Sequence, residues 1–191
     1  MKRTNFFLFL ALMLPLFGGA QVKFEREYRV GAKEVPAPAR AFAEKAFPGQ
    51  KIKWYKEERL ESFSFEAKVR RHGTSFSVEF DSLGTIEDVE MLLSFSEIDQ
   101  LAGKNIETKL GSTFSKFKVQ RVQRQLTGPE QALEELVSVG TTGLPFVVRY
   151  EIVARGKKDK TTGLYELLFD DQGELLDMKE IIPRNTDILD Y

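Results

Sequence analysis

Phe80-Asp81-Ser82-Leu83-Gly84-Thr85-Ile86-Glu87-Asp88-Val89 and Phe169-Asp170-Asp171-Gln172-Gly173-Glu174-Leu175-Leu176-Asp177-Met178 are two versions of one pattern. Phe, Asp, Gly, an aliphatic residue and a second Asp recur at the same spacing. Asp followed closely by Gly makes a hairpin turn for local reasons, because Asp bonds nearby backbone and Gly tolerates left-handed φ. Two copies of a strand–turn–strand signature predict one supersecondary unit used twice.

The strands around the first turn are marked by period-2 alternation. From 62 to 70, Phe63, Phe65, Ala67 and Val69 point one way and Ser64, Glu66, Lys68 and Arg70 the other. His72-Gly73 turns the chain. Phe76, Val78 and Phe80 continue the apolar face. Lys51 to Glu58, around Ile52 and Trp54, supplies another strand, and Thr85 to Leu92 the fourth. One packed and one wet face is the pattern of an antiparallel sheet. Upstream, Val35-Pro36-Ala37-Pro38 opens a helix in which Ala39, Phe42, Ala43, Ala46 and Phe47 form one stripe, and Pro48-Gly49 ends it.

The order restarts after residue 94. Ser96-x-x-Asp99 is a capping-box-like start. Ile98, Ala102, Ile106 and Leu110 give a helix through about Leu110, weakened by Gly103. Lys116-Phe117-Lys118-Val119 parallels Lys51-Ile52-Lys53-Trp54. Phe146 to Arg155 is a long strand with Phe146, Val148, Tyr150, Ile152 and Ala154 on one face, so Tyr150-Glu151 matches Phe65-Glu66. Leu164 to Phe169 and Glu174 to Ile182 complete the copy. Thr127 to Gly143 has no counterpart. Ala132, Leu133, Leu136 and Val137 make it a short amphipathic helix in a long hairpin connection, which either covers the core's edge or serves function.

Residues 1–20 have the form of a secretory signal peptide: Lys2 and Arg3, an apolar run from Phe6 to Phe17, then Gly18-Gly19-Ala20, with cleavage before Gln21. No Cys follows for a lipid anchor. Its removal takes two positive charges from a chain of net charge −1. The expected organisation is signal peptide 1–20, lead-in 21–34, first repeat 35–94, second repeat 95–183 with a helical insertion at 127–143, and tail 184–191. The polar lead-in reads either as an extra edge strand or as disordered. With no Cys, an exported chain depends on packing, and its 16 Phe suit that. Charged residues are 30%, with both signs interspersed. Nucleic acid as the main partner would need a concentrated basic face, so it is not expected.

Catalytic groups are scarce. The one His, His72, sits in a predicted turn. Without Cys there is neither thiol nucleophile nor thiolate metal site, and no nucleophile elbow or phosphate loop occurs. Asp170-Asp171-Gln172-Gly173-Glu174 lacks the remaining ligands of a calcium loop, so its acids are read as turn chemistry. On the wet face Glu66, Glu79, Glu151 and Glu166 alternate with Lys53, Lys68, Arg70 and Arg149. Cross-strand opposite charges are an ordinary decoration of a solvated sheet, so no perturbed carboxylate pair is expected there. No cofactor and no metal are expected.

The run Val35-Pro36…Ala39…Phe42…Ala46-Phe47-Pro48…Lys51…Lys53-Trp54, with Phe65-Glu66-Ala67 and Val78-x-Phe80-Asp81-x-x-Gly84, resembles the secreted PepSY-like proteins, also described as β-lactamase-inhibitor-like. The likeness is good over residues 35–90 and looser over 95–182. It implies an α+β fold of two tandem repeats, each one helix plus a four-stranded antiparallel sheet. It also implies non-catalytic binding in the bacterial envelope or outside it, with inhibition or regulation of a hydrolase as one form. β-Lactamase inhibition itself is not predicted, because the inhibitor proteins proper are disulfide-bonded.

The expected function is an exported, non-enzymatic binding module for an envelope protein or peptide, with no membrane insertion after signal cleavage. The expected surface is the open sheet face: Lys53, Tyr55, Glu66, Lys68, Arg70, Arg149, Glu151 and Glu166. The same residues read equally as an ordinary solvated sheet. The alternative function is a carrier of a small apolar ligand between helix and sheet, which a closed apolar pocket would favour and a filled core would refute. A hydrolase would need a carboxylate pair with raised pKa in a cleft.

Overall fold

The computed structural model describes residues 21–23, 26–59 and 62–182. The expected signal peptide and the tail lie outside the described residues. Of the two readings of the lead-in, the strand holds: Gln21–Lys23 forms β1 and Arg26–Val30 forms β2. Edge strands tolerate charge because one of their sides has no partner.

Helix α1, Ala37–Ala46, starts from Pro36 with Pro38 in its first turn, where a missing N–H costs nothing. Strands β3 (Lys53–Glu58), β4 (Phe63–Arg71), β5 (Thr74–Phe80) and β6 (Ile86–Leu92) follow. His72 and Gly73 both take positive φ, 51° and 86°, as a type I′ hairpin requires. Helix α2, Gln100–Thr113, is capped by Asp99, whose Oδ1 accepts from the amides of Leu101 at 2.9 Å and Ala102 at 3.4 Å. The cap is therefore Asp99 and not Ser96; the reciprocal box belongs to Ser94 and Glu97, one turn earlier. Strand β7 (Lys116–Thr127), helix α3 (Glu130–Ser138) in the insertion, and strands β8 (Val147–Lys158), β9 (Thr161–Asp170) and β10 (Leu175–Ile181) complete the described elements.

The strands do not stand as two four-stranded sheets. They pair in one sheet, in the order β1-β10-β9-β8-β7-β6-β5-β4-β3-β2. β2 to β10 are antiparallel to their neighbours, and β1 joins β10 in parallel. The seam between the expected halves is short: Val89–Leu92 of β6 against Gln123–Leu126 of β7. Pairing there removes two edges that separate sheets would have left open.

Among the described residues, the three α-helices pack on one face of this sheet. Phe42, Ala43 and Phe47 of the α1 region and Leu133 and Val137 of α3 meet Trp54, Phe65, Val78, Phe80, Val89 and Leu126. Ala102, Ile106, Leu110 and Phe114 meet Val122, Ile152, Tyr165, Leu167 and Phe169. Phe63 and Phe146, expected inward, are 39% and 40% exposed. Phe63 is the first residue of β4, and Phe146 precedes β8.

The two Asp–Gly turns have the same construction. Asp81 Oδ1 accepts from the amides of Leu83 and Thr85, both at 2.8 Å. Asp170 Oδ1 accepts from those of Gln172 at 2.9 Å and Glu174 at 2.8 Å. Gly84 and Gly173 take φ of 87° and 82°. Each glycine abuts the start of a helix: a Cβ on Gly84 would lie 2.7 Å from Pro36 Cβ, and one on Gly173 2.4 Å from the Ala102 carbonyl oxygen.

Two residues, 24 and 25, separate β1 from β2, which lie at opposite ends of the strand order. Three virtual bonds of 3.8 Å span at most about 11 Å. The two ends of the sheet therefore return close to one another. The sheet is curled, with its helices outside and its polar face turned inward.

Candidate functional site

Antiparallel pairing sets the polar face out in rows. Tyr55, Glu66, Glu79 and Asp88 lie opposite one another across β3 to β6. The next row is Lys53, Lys68, Ser77, Glu90, Gln125 and Arg149. A third runs from Gln123 through Glu151 to Leu168. Facing side chains in such rows stand about 5 Å apart and shield one another from water.

This face was expected to be wet, and it is not. Glu66, Glu151 and Glu166 are 8–9% exposed, Asp88 9% and Glu90 6%. The cause is the continuous, curled sheet. In two separate sheets β6 and β7 would have been edges. Here they are interior strands, and Glu90 and Asp88 lie against Gln123 and Gln125 of β7.

Hydrogen bonds offset part of the cost of this burial. Gln123 Nε2 donates to Glu90, Gln125 Nε2 donates to Asp88 Oδ2 at 3.1 Å, and Ser77 Oγ donates to Glu66. Arg121 Nη2 donates to Glu151 Oε1 at 3.2 Å. Arg59 Nη2 stands 3.6 Å from Glu79 Oε2. Lys68 Nζ lies 2.8 Å from Glu27, 3.2 Å from Glu66 and 4.7 Å from the ring centre of Tyr55.

The carboxylates are nevertheless perturbed, contrary to expectation. Burial raises Glu66 above its ordinary value, against the pull of Lys68. Burial, and then the charges of Asp88, Glu57 and Glu66, push Glu79 up to about 9. Burial, and then Glu151 and Glu87, push Asp88 up to about 7. Burial, and then Glu151, Glu79 and Asp88, hold Glu90 well above the usual carboxylate range. One carboxylate oxygen from each of Glu79, Asp88 and Glu90 lies within 4.8 Å of the others.

Of the eight residues expected on the binding face, the structure brings Tyr55, Glu66 and Lys68 into contact. Glu151 joins the acidic cluster through Arg121. Lys53 and Arg70 are exposed, Arg149 is half-buried opposite Gln125 and Asp170, and Glu166 is buried opposite Val153 and Lys179. Sequence reasoning missed Asp88, Glu90, Gln123 and Gln125. Their signal was present: Asp88 and Glu90 alternate with Val89 and Met91. The pairing of β6 with β7 that gathers them had none.

An antiparallel sheet backed by helices on one side makes this an α+β fold. The structure is similar to a BLIP-like protein, BF1215, from Bacteroides fragilis NCTC 9343, with TM-score 0.51 and 16% identity over 82% of this chain and 92% of that one. It is also similar to DUF2874 family proteins from Bacteroides ovatus ATCC 8483 (TM-score 0.49, 14% identity, 76% of this chain and 87% of that one) and Bacteroides uniformis ATCC 8492 (TM-score 0.49, 18%, 76% and 89%). No family model and no curated protein matches the chain. Among the described residues, no helix is long and apolar enough to cross a membrane.

Proposed function

We propose that this chain is a non-catalytic binding module, exported to the periplasm or secreted, that engages a protein or peptide partner through the cationic rim of its polar sheet face. The observation that carries this reading is the one-sided build: among the described residues every α-helix backs the apolar face, and Lys53 and Arg70 project from the other. Tyr55, Lys68 and Arg149, half-buried, would extend the contact, with Glu66, Glu151 and Glu166 beneath it setting the field a partner meets. An inhibitory or regulatory role toward a hydrolase is the form of binding that the PepSY-like resemblance favours. The matched Asp–Gly turns, each wedged against a helix start, support descent of the two halves from one duplicated unit. Fold alone does not assign a partner.

The carrier reading is weaker. The space between helix and sheet is occupied by rings in contact: Phe42 with Phe80 at 5.8 Å, Phe47 with Phe76 at 5.3 Å and Trp54 with Phe80 at 6.0 Å. A groove at Leu92, Phe95, Val119 and Val122 is open to the surface at the end of the seam instead.

The test is cross-linking of the mature chain in envelope extract, beside a Lys53→Glu/Arg70→Glu variant. Both substitutions fall at exposed positions and leave the core intact. A partner captured by the parent and lost with the variant supports the reading. Identical capture by both proteins, or by neither, sinks it.

A further inference from the structure

The geometry points to a calcium site at the seam of the sheet, built from Glu79 on β5, Asp88 and Glu90 on β6, and the side-chain carbonyl of Gln123 on β7. The three carboxylates each place an oxygen within 4.8 Å of the others. Calcium–oxygen bonds of about 2.3–2.6 Å put ligands on opposite sides of one ion about 4.6–5.2 Å apart. Every pair here therefore fits inside a single calcium coordination sphere.

A second observation is independent of the acids' spacing. Asp88 Oδ1 and Gln123 Oε1 are buried acceptors without a hydrogen-bond donor, in side chains 9% and 8% exposed. Buried polar atoms are almost always satisfied, so two orphaned oxygens on adjoining strands require an explanation. Gln123 is held in place by its own amide, since Nε2 donates to Glu90 and so keeps Oε1 beside the cluster. A cation supplies what both oxygens lack.

The donor set is chemically uniform. It consists of carboxylate and amide oxygens, which suit a hard cation, with no nitrogen or sulfur to favour zinc or copper. Calcium accepts irregular geometry, whereas magnesium demands a near-ideal octahedron at about 2.0–2.1 Å and gives up water reluctantly. The ligands stand on paired strands, which hold them in place more firmly than a loop would. Glu79 is half-buried, leaving the ion a way in from solvent. Two arginines stand by the cluster: Arg59, 3.6 Å from Glu79, also pairs with Glu57, and Arg121, which acts on Glu90, pairs with Glu151. An ion here would bind β6 to β7 across a junction of only four residue pairs. The site stands whether or not the opposite rim binds a partner.

The experiment uses the whole chain, stripped with chelator and dialysed, with CaCl2 alone as probe. Isothermal titration should give one saturable site per chain, and the thermal midpoint should rise with CaCl2. An Asp88→Asn/Glu90→Gln variant should lose both responses while keeping or raising its midpoint in chelator, because the amides cannot take on a charge that burial opposes. A midpoint indifferent to CaCl2 overturns the site. So does a rise matched by MgCl2 or by NaCl of equal ionic strength, or a full calcium response in the double variant.

Discussion

Phe80 and Glu79 are neighbours in one strand, fixed by the same backbone, and they face opposite worlds. Phe80 is 0% exposed among apolar groups that lose nothing by leaving water. Glu79 points into the curled polar face, where its charge is opposed by burial and by three other acids. Both faces of the sheet are thus removed from water, by different physics. Helices exclude solvent from the first by covering it. The second is screened by its own curvature and by the side chains of adjacent strands. Burial on the first face drives folding; burial on the second is tolerated, and hydrogen bonds from Ser77, Gln123 and Gln125 make it tolerable.

That contrast sets the largest expected effect. Phe80→Ala should lower unfolding free energy by about 3–5 kcal/mol, since it removes buried area and leaves a cavity between Phe42 and Trp54. Glu79→Gln, one residue away, should cost nothing in chelator. Urea melts of the two variants measure the difference, and equal losses would erase the distinction between the faces. The Asp–Gly turns give a smaller contrast. Gly173→Ala combines positive φ with a Cβ 2.4 Å from the Ala102 carbonyl oxygen, so the start of α2 must move. Gly73→Ala has the same sign of φ, 86°, and nothing within 4 Å. Gly73→Ala should cost about 1 kcal/mol from backbone strain, and Gly173→Ala clearly more, about 2–3 kcal/mol. Equal costs would mean that the turn does not bear on the helix.

Local features were legible in the chain itself. Alternation placed Phe65, Ala67, Val69 and Val78 on the packed face, and Pro36 and Pro38 marked a helix start by chemistry that acts within one turn, whereas the cap of α2 fell on Asp99 and not on Ser96. The duplicated Asp–Gly signature located both hairpin turns. Features carried by distant residues were not legible. Nothing in Glu90 announces that Gln123, 33 positions on, will donate to it. Nothing in the polar lead-in says that β1 and β2 take opposite ends of the sheet, although this closes the curl and makes the wet face a dry one. Lys53 and Arg70 were placed on the right face by parity; Glu66, Glu151 and Glu166 share that face but not its exposure, because exposure depends on how many strands lie to either side.

The last contrast is a pH dependence, and its sign separates the inward face from the turns. An acid whose folded pKa is raised binds its proton more tightly in the native state. The stability this represents is fully present below the unfolded value, near 4, and is lost as pH rises through the folded one. Asp88 at about 7 and Glu79 at about 9 therefore make the chelated protein less stable as pH climbs from about 4 to about 9. Glu66, Glu57 and Glu151 on the facing strands push the same way, while Arg59 and Arg121 oppose it. The turns behave oppositely. Backbone bonding, from Thr85 first, holds Asp81 below its usual value, and the Ser94 hydroxyl does so for Glu97. Their contribution is present above the ordinary carboxylate range and disappears as pH falls through the folded values, so it sets the acid limb alone. Urea midpoints in chelator should accordingly decline from pH 5 to pH 9, and CaCl2 should flatten that decline. A flat or rising profile in chelator would show that these carboxylates ionise freely, and the inward face would then be as wet as alternation alone had suggested.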